Sequence, residues 1–175
     1  MASFKDRIIR AAMLDASVYE EVEADKGALG QATAVVVLSS VAAGVGTIGQ
    51  EGLGGILMGT IGALIGWYIW ALLTYLIGTK LLPERGTRAD VGELLRTIGF
   101  STSPGLIRVL GIFPPLIPIV FSVTAIWMLI AMVIAVRQAL DYTSTLRAVG
   151  VCLIGWIIQA FILGLLIFGV GGGPA

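Results

Sequence analysis

The sequence predicts an all-α integral membrane protein: a helical bundle with five transmembrane segments, the third short, kinked or half-spanning, and a cytoplasmic N-terminus. Three observations lead there. Hydrophobic residues make up 57% of the 175 residues and charged residues only 13%, against about 25% charged in a soluble globular chain. So little charge cannot cover a water-facing surface, and the mean hydropathy of +0.98 agrees. Four stretches are long, apolar and free of interior charge, as a bilayer core requires. Finally, the connections between apolar segments alternate between basic and empty.

Residues 1–27 form a cytoplasmic amphipathic and acidic head. Phe4, Ile8, Ala11 and Ala12 share one helical face, with Lys5, Asp6, Arg7 and Arg10 largely elsewhere. Asp15 would interrupt that apolar stripe, so the helix is expected to break there. Ser17 and Glu20 fit a capping box that opens a second surface helix through Val18, Tyr19 and Val22, with Gly27 as an end signal. No apolar run follows the basic start closely enough for a cleaved leader, so the first span is expected to stay in the membrane.

Residues 28–170 form the membrane domain. Ala28–Ile48 is the first span. Gly49–Gly52 is a short turn. Leu53–Leu82 would measure about 45 Å as one helix, so it is expected to tilt, protrude or begin as irregular backbone. Pro83–Arg88 is a polar loop, and Thr87 with Asp90 matches a capping box opening an interfacial amphipathic helix through Val91, Leu94, Leu95 and Ile98. Ser103 followed by Pro104 restarts a helix. Pro104–Phe113 covers only about 15 Å before Pro114 and Pro115. It is either a half-span or the end of a kinked span beginning near Glu93. Leu116–Val136 and Ala148–Val170 are clear spans, and residues 171–175 are a loose tail.

Lys5, Arg7, Arg10 and Lys26 precede the first span, and Lys80, Arg85, Arg88 and Arg96 lie between the second and third. Arg137 and Arg147 lie between the fourth and fifth, and the other connections have no base. This alternation predicts five passes with the N-terminus inside and the C-terminus outside.

The zero net charge argues against a nucleic-acid partner, and the absence of histidine removes the commonest metal ligand and neutral-pH acid–base group. Cys152 is the single cysteine. No phosphate loop, metalloprotease motif, C-x-x-C or nucleophile–base pair occurs, so no enzyme activity, cofactor or metal is expected. Gly52, Gly55, Gly59, Gly62 and Gly66 recur every three or four residues, a face that lets helices approach in lipid. Packing against another helix of the same chain is the first reading, homodimerisation the second, and a path for a substrate the third. Trp67, Tyr68, Trp70 and Tyr75 crowd the second span and are expected to pack within the bundle. Arg108, the one charge inside a proposed membrane segment, is expected to snorkel to the inner surface or to pair with Glu93 or Asp141. Gln159 is expected to hydrogen-bond a neighbouring helix.

The order of these features is informative. D-A-S-V-Y-E-E-V-E (Asp15–Glu23) precedes the first span, and D-V-G-E-L-L-R-T-I-G-F-S-T-S-P (Asp90–Pro104) follows the second. R-Q-A-L-D-Y-T-S-T-L-R-A (Arg137–Ala148) leads into the last. Over residues 4–168 the chain resembles the bacterial branch of the Yip-domain (Ypt-interacting protein) family. The resemblance implies five passes, a cytosolic N-terminus, no enzymatic role, and a bacterial cytoplasmic membrane as the location. Eukaryotic relatives bind Rab-type GTPases and organise membranes. The head here is short and lacks their D-L-Y-G-P type motif, so GTPase binding does not carry over. The expected role is a membrane scaffold or adaptor at the cytoplasmic face, with the bilayer, other membrane proteins or a second copy as partners. Tyr19, Glu20, Glu21, Asp90, Glu93, Arg96, Arg137, Asp141 and Tyr142 are the candidate partner surface. A small transporter or channel for ions, lipids or apolar solutes is the alternative, resting on the proline break, the short third segment and Arg108.

Overall fold

The computed structural model describes residues 2–171, with side chains described through residue 162; the tail expected at 171–175 lies, past its first residue, outside them. Two short helices come first, α1 (Phe4–Ala12) and α2 (Ala16–Ala24). Ser3 caps α1 by accepting from the Asp6 amide, and Asp15 caps α2 by accepting from the Ser17 amide. The chain breaks at Asp15 as expected, but the cap is Asp15 itself rather than Ser17. Leu14, at φ +64°, turns the chain between the two helices.

The head packs one face onto the bundle, the face expected for α1 and most of the apolar side of α2. Ala11, Val18, Tyr19 and Val22 are fully buried and join Ala28, Ala32, Val35, Phe100 and Ala135 in one apolar cluster. Arg7 is 2% exposed because its charge is answered inside the head. It bridges Glu21 and Asp25 at 2.9 Å each and donates to Gln31 at 2.9 Å. A buried cation with two carboxylates and a neutral acceptor leaves no unpaired donor to expel the helix into water.

Helix α3 (Leu29–Gly46) and helix α4 (Ile48–Leu76) form an antiparallel hairpin, with Ser40 Oγ and Thr60 Oγ1 3.2 Å apart. The turn expected at Gly49–Gly52 closes this hairpin: residues 48–51 form a short helical turn, Gly52, at φ +65° and ψ −169°, breaks it, and the long helix of the second arm runs on from Leu53. A π-helical turn, Ile77–Leu81, ends this arm.

Helix α5 (Val91–Phe100) opens on a capping box between Asp90 and Glu93, both bonds 2.8 Å. Thr87 serves the preceding loop instead, accepting from the Glu84 amide at 2.8 Å. Leu94 through Phe100 are all buried, so α5 is packed inside the protein at the head end of the bundle rather than laid on its surface. After it, Ser103–Ile112 is a 3-10 helix of ten residues. At 2.0 Å per residue it covers about 20 Å, more than an α-helix of that length would.

This third segment runs parallel to α3 along a seam of glycines. A Cβ on Gly99 would sit 2.8 Å from Ala32 Cβ, one on Gly105 would strike Ser39, and one on Gly111 would sit 2.9 Å from the Gly46 carbonyl. Ala32, Ser39 and Gly46 descend the length of α3 in the same order. Helices α6 (Ile117–Ala139) and α7 (Thr145–Gly171) complete the bundle.

Four helices are long and apolar enough to cross a membrane: Ala28–Gly46, Ile48–Leu81, Pro114–Ala139 and Thr145–Ile162. Their outer faces carry exposed Leu57, Ile61, Ile65, Ile119, Val123, Ile126, Ile157 and Phe161. Apolar side chains displayed at helical spacing on this scale suit hydrocarbon as solvent.

Candidate functional site

A cavity of about 520 Å³ opens between the long helices. It lies within the 300–1,000 Å³ range of small-molecule sites. α3 contributes Val36, Ser39, Ser40, Ala43, Gly44 and Thr47; α4 contributes Glu51, Gly55, Gly59, Ala63, Gly66, Trp67 and Trp70. The far wall is built from Arg108, Phe121, Met128, Met132, Trp156 and Gln159. The α4 glycines make this room. Nothing among the described residues comes within 4 Å of a Cβ placed on Gly59, Gly62 or Gly66, and Gly55 meets only the Glu51 side chain. The expected packing of the Gly52–Gly66 stripe on another helix of the chain is therefore not realised. Gly52 is the kink, and Gly55, Gly59 and Gly66 face the cavity.

Arg108 is placed by the seam. Its carbonyl packs against Gly46, the last residue of α3, at the end of the bundle opposite the head. The expected snorkelling toward the head side and pairing with Glu93 or Asp141 are both overturned, because those residues sit at the other end. The guanidinium carbon lies 5.4 Å from the centre of the Phe121 ring, a cation–π contact. Among the described residues, Arg108 Nε is buried without an acceptor. Trp70 Nε1, on the same cavity, is likewise buried and unsatisfied. Trp70 also packs on Trp156 at 6.5 Å between ring centres. Gln159 lines the cavity, with no hydrogen bond to a neighbouring helix among the described residues.

At the head end the nine expected partner residues divide. Tyr19 is fully buried and donates to the Ala11 carbonyl at 3.2 Å; burial, then the Asp15 charge, pushes its phenol far up. Arg96 is 6% exposed, and its Nε donates to the Val22 carbonyl at 2.9 Å while Nη2 donates to that of Glu23. It thereby caps the last turn of α2. Tyr142 is 4% exposed, its hydroxyl shared between the Gly78 and Leu82 carbonyls at 2.9 and 2.7 Å. The first carbonyl lies within the π-helical turn and the second is that of the residue that caps it. Tyr19 and Arg96 offer no surface to a partner, whereas Tyr142 lines the edge of a groove. Glu21 is engaged by Arg7 and Arg10 at 2.9 and 2.8 Å. Partial burial pushes its carboxyl up, but the hydrogen bonds from Arg10 and Arg7 prevail and hold it below its usual range.

Most of the rest gather. Glu20, Glu93, Asp141 and Arg137 line a head-end groove of about 600 Å³ together with Glu23. Gln138 donates to Glu20 at 2.6 Å; Asp90, exposed at the α5 cap, is not among the residues that line the groove. Burial, then repulsion from Asp141, Glu93 and Glu20, lifts the Glu23 carboxyl to about 7 against the pull of Arg96. Sequence reasoning missed Glu23 and the cavity residues Glu51, Trp156, Ser40 and Thr47. The mid-span position of Trp67 and Trp70, away from the interface where tryptophan gathers, was the one available signal.

A sequence profile of the Yip1 domain matches residues 15–168. Comparisons with curated proteins and with solved structures return no match.

Proposed function

Because the chain belongs to the Yip1 domain family and its body is a bundle of membrane-length apolar helices, we propose that it is a non-enzymatic membrane protein that holds a small amphiphile between its spans. One observation carries this reading: a buried, unpaired Arg108 Nε on the wall of a cavity of about 520 Å³. An unpaired donor in a low-dielectric site costs free energy that a bound acceptor restores. The alternative, a small transporter or channel for ions, lipids or apolar solutes, is thus preferred, in its lipid form, over the expected scaffold or adaptor. In the test, full-length protein is extracted in mild detergent and its small molecules are counted by mass spectrometry after denaturation. One molecule per chain is expected, and it is lost when Gly59→Leu fills the cavity. Equal recovery from both proteins sinks the reading.

The third segment is read as a fifth pass. Helix α5 and the 3-10 helix together measure about 35 Å, and the glycine seam keeps Gly99 to Gly111 level with Ala32 to Gly46 of α3. The alternation of lysine and arginine supports an N-terminus on the cytoplasmic side of a bacterial cytoplasmic membrane. Single cysteines at positions 5 and 51, in a Cys152→Ser background, are expected to label from opposite sides; labelling from one side excludes this topology.

The groove of Glu20, Glu23, Glu93 and Asp141 keeps an adaptor role as the second reading. Its charge suits a basic segment of a partner protein. Partner capture that survives charge reversal at Glu20 and Asp141 counts against it.

A further inference from the structure

We propose that the cavity takes a zwitterionic phospholipid from the leaflet opposite the head, its phosphate at Arg108, its amine at Glu51 and one tail running inward past Trp67 and Trp70. This rests on the cavity-binding reading above and adds the chemistry of the ligand.

The two charges and their position define the headgroup. Arg108 and Glu51 line the same cavity. Both sit at its distal mouth: the Arg108 backbone packs against the last residue of α3, and Glu51 lies in the first turn of α4. They make no ion pair with each other, and Arg108 has Phe121 on its face and no acceptor on its buried Nε. A guanidinium in this state is suited to phosphate, which it binds through paired, charge-assisted hydrogen bonds. An exposed carboxylate at the same mouth disfavours a ligand that is only anionic, because it adds a like charge to the site. A ligand carrying phosphate and ammonium together answers both groups.

The remaining walls fit a hydrocarbon tail. From Gly55 to Trp70 the cavity follows α4 for fifteen residues, about 22 Å. That is most of a 30 Å hydrocarbon core, so an acyl chain whose headgroup stays at the distal mouth fits along it. Along that depth the lining passes from Thr47, Glu51 and Arg108 to Trp67, Trp70 and Met132. The missing Cβ atoms of Gly59 and Gly66 leave the width a chain requires, and methionine adapts to tails of different shape. A polar end at the interface and an apolar depth match a lipid lying parallel to its neighbours rather than a water-soluble solute.

The test uses the full chain in mild detergent, titrated with phosphatidylethanolamine, phosphatidylglycerol and palmitate and read by native mass spectrometry. Wild type is expected to retain one phosphatidylethanolamine about tenfold more tightly than either anion. Arg108→Gln is expected to weaken both phospholipids by about tenfold. Glu51→Gln, at an exposed position, is expected to erase the preference for the amine headgroup while retaining phosphatidylglycerol. Gly59→Leu is expected to abolish retention of all three. If wild type prefers phosphatidylglycerol or palmitate and Gly59→Leu still abolishes binding, the zwitterion is wrong and the cavity reading stands. If nothing is retained, or Gly59→Leu changes nothing, both fall.

Discussion

Arg96→Met separates a structural arginine from a partner-binding one. The guanidinium donates to the Val22 and Glu23 carbonyls at the end of α2 and is 6% exposed. Each hydrogen bond from a charged donor contributes about 1.5–3 kcal/mol net. Methionine keeps the apolar stem but leaves both carbonyls without a donor, and the two losses are not additive, so about 3–5 kcal/mol is expected. At about 2–4 °C per kcal/mol for a chain of this size, the melting temperature falls by roughly 10 °C. The chain supplies its own reporter. Cys152 is the only cysteine and is 3% exposed within α7, so a thiol-reactive fluorophore added during a thermal ramp in detergent reads unfolding. Arg96→Lys is expected to recover less than half of the loss, because an ammonium cannot reproduce the fork that serves two carbonyls. A melting temperature within 1–2 °C of wild type, a shift worth under about 1 kcal/mol, would refute the clasp and return Arg96 to the partner surface.

Two further outcomes follow from the same coordinates. Glu23 is raised to about 7 by burial and by its acidic neighbours, so the folded chain binds that proton more tightly than the unfolded chain. The associated stability is full below about 4.5 and is lost as pH rises through about 7. Glu23→Gln should therefore leave stability at pH 5 unchanged and raise it at pH 8 by about 1 kcal/mol, after allowing for screening by water in the groove; a pH-independent effect in the Cys152 melt rules this out. Gly46→Ala, whose Cβ would meet the Arg108 carbonyl, should cost about 2–3 kcal/mol, whereas Gly59→Ala should be neutral or gain up to about 1 kcal/mol of helix propensity. Equal melting temperatures for the two variants would mean that the α3 seam is not a close contact.

The spans were legible because hydropathy reports the solvent directly. Ala28–Gly46 ends within two residues of the expected Ala28–Ile48, and the long apolar stretches ending at Ala139 and opening at Thr145 were visible. The family was legible as well, through the order of its short motifs. The apolar face of the head was legible, but the burial of its charges was not, for a physical reason. Periodicity counts every charge as a reason to face water, but Arg7, Glu21 and Asp25 neutralise one another, and Arg96 is satisfied by backbone 73 and 74 residues away. Pairs of that separation have no local signature. The same limit hid the cavity, which is assembled from α3, α4, α5, the 3-10 helix, α6 and α7.

The glycines show where a rule of fixed spacing fails. Gly55, Gly59, Gly62 and Gly66, spaced for two α-helices in contact, meet no other helix among the described residues. Gly99, Gly105 and Gly111, spaced by six, form the close seam with Ala32, Ser39 and Gly46, spaced by seven. Turn period accounts for the mismatch. A 3-10 helix has three residues per turn, so every sixth residue returns to the same face, whereas an α-helix at 3.6 residues per turn returns nearly to the same face every seventh. Gly105 and Gly111 therefore present one side to Ser39 and Gly46, although the two spacings differ. Arg108 lies between those two contacts and is held at the cavity by them, and the unpacked α4 glycines are what leave a cavity for it to face.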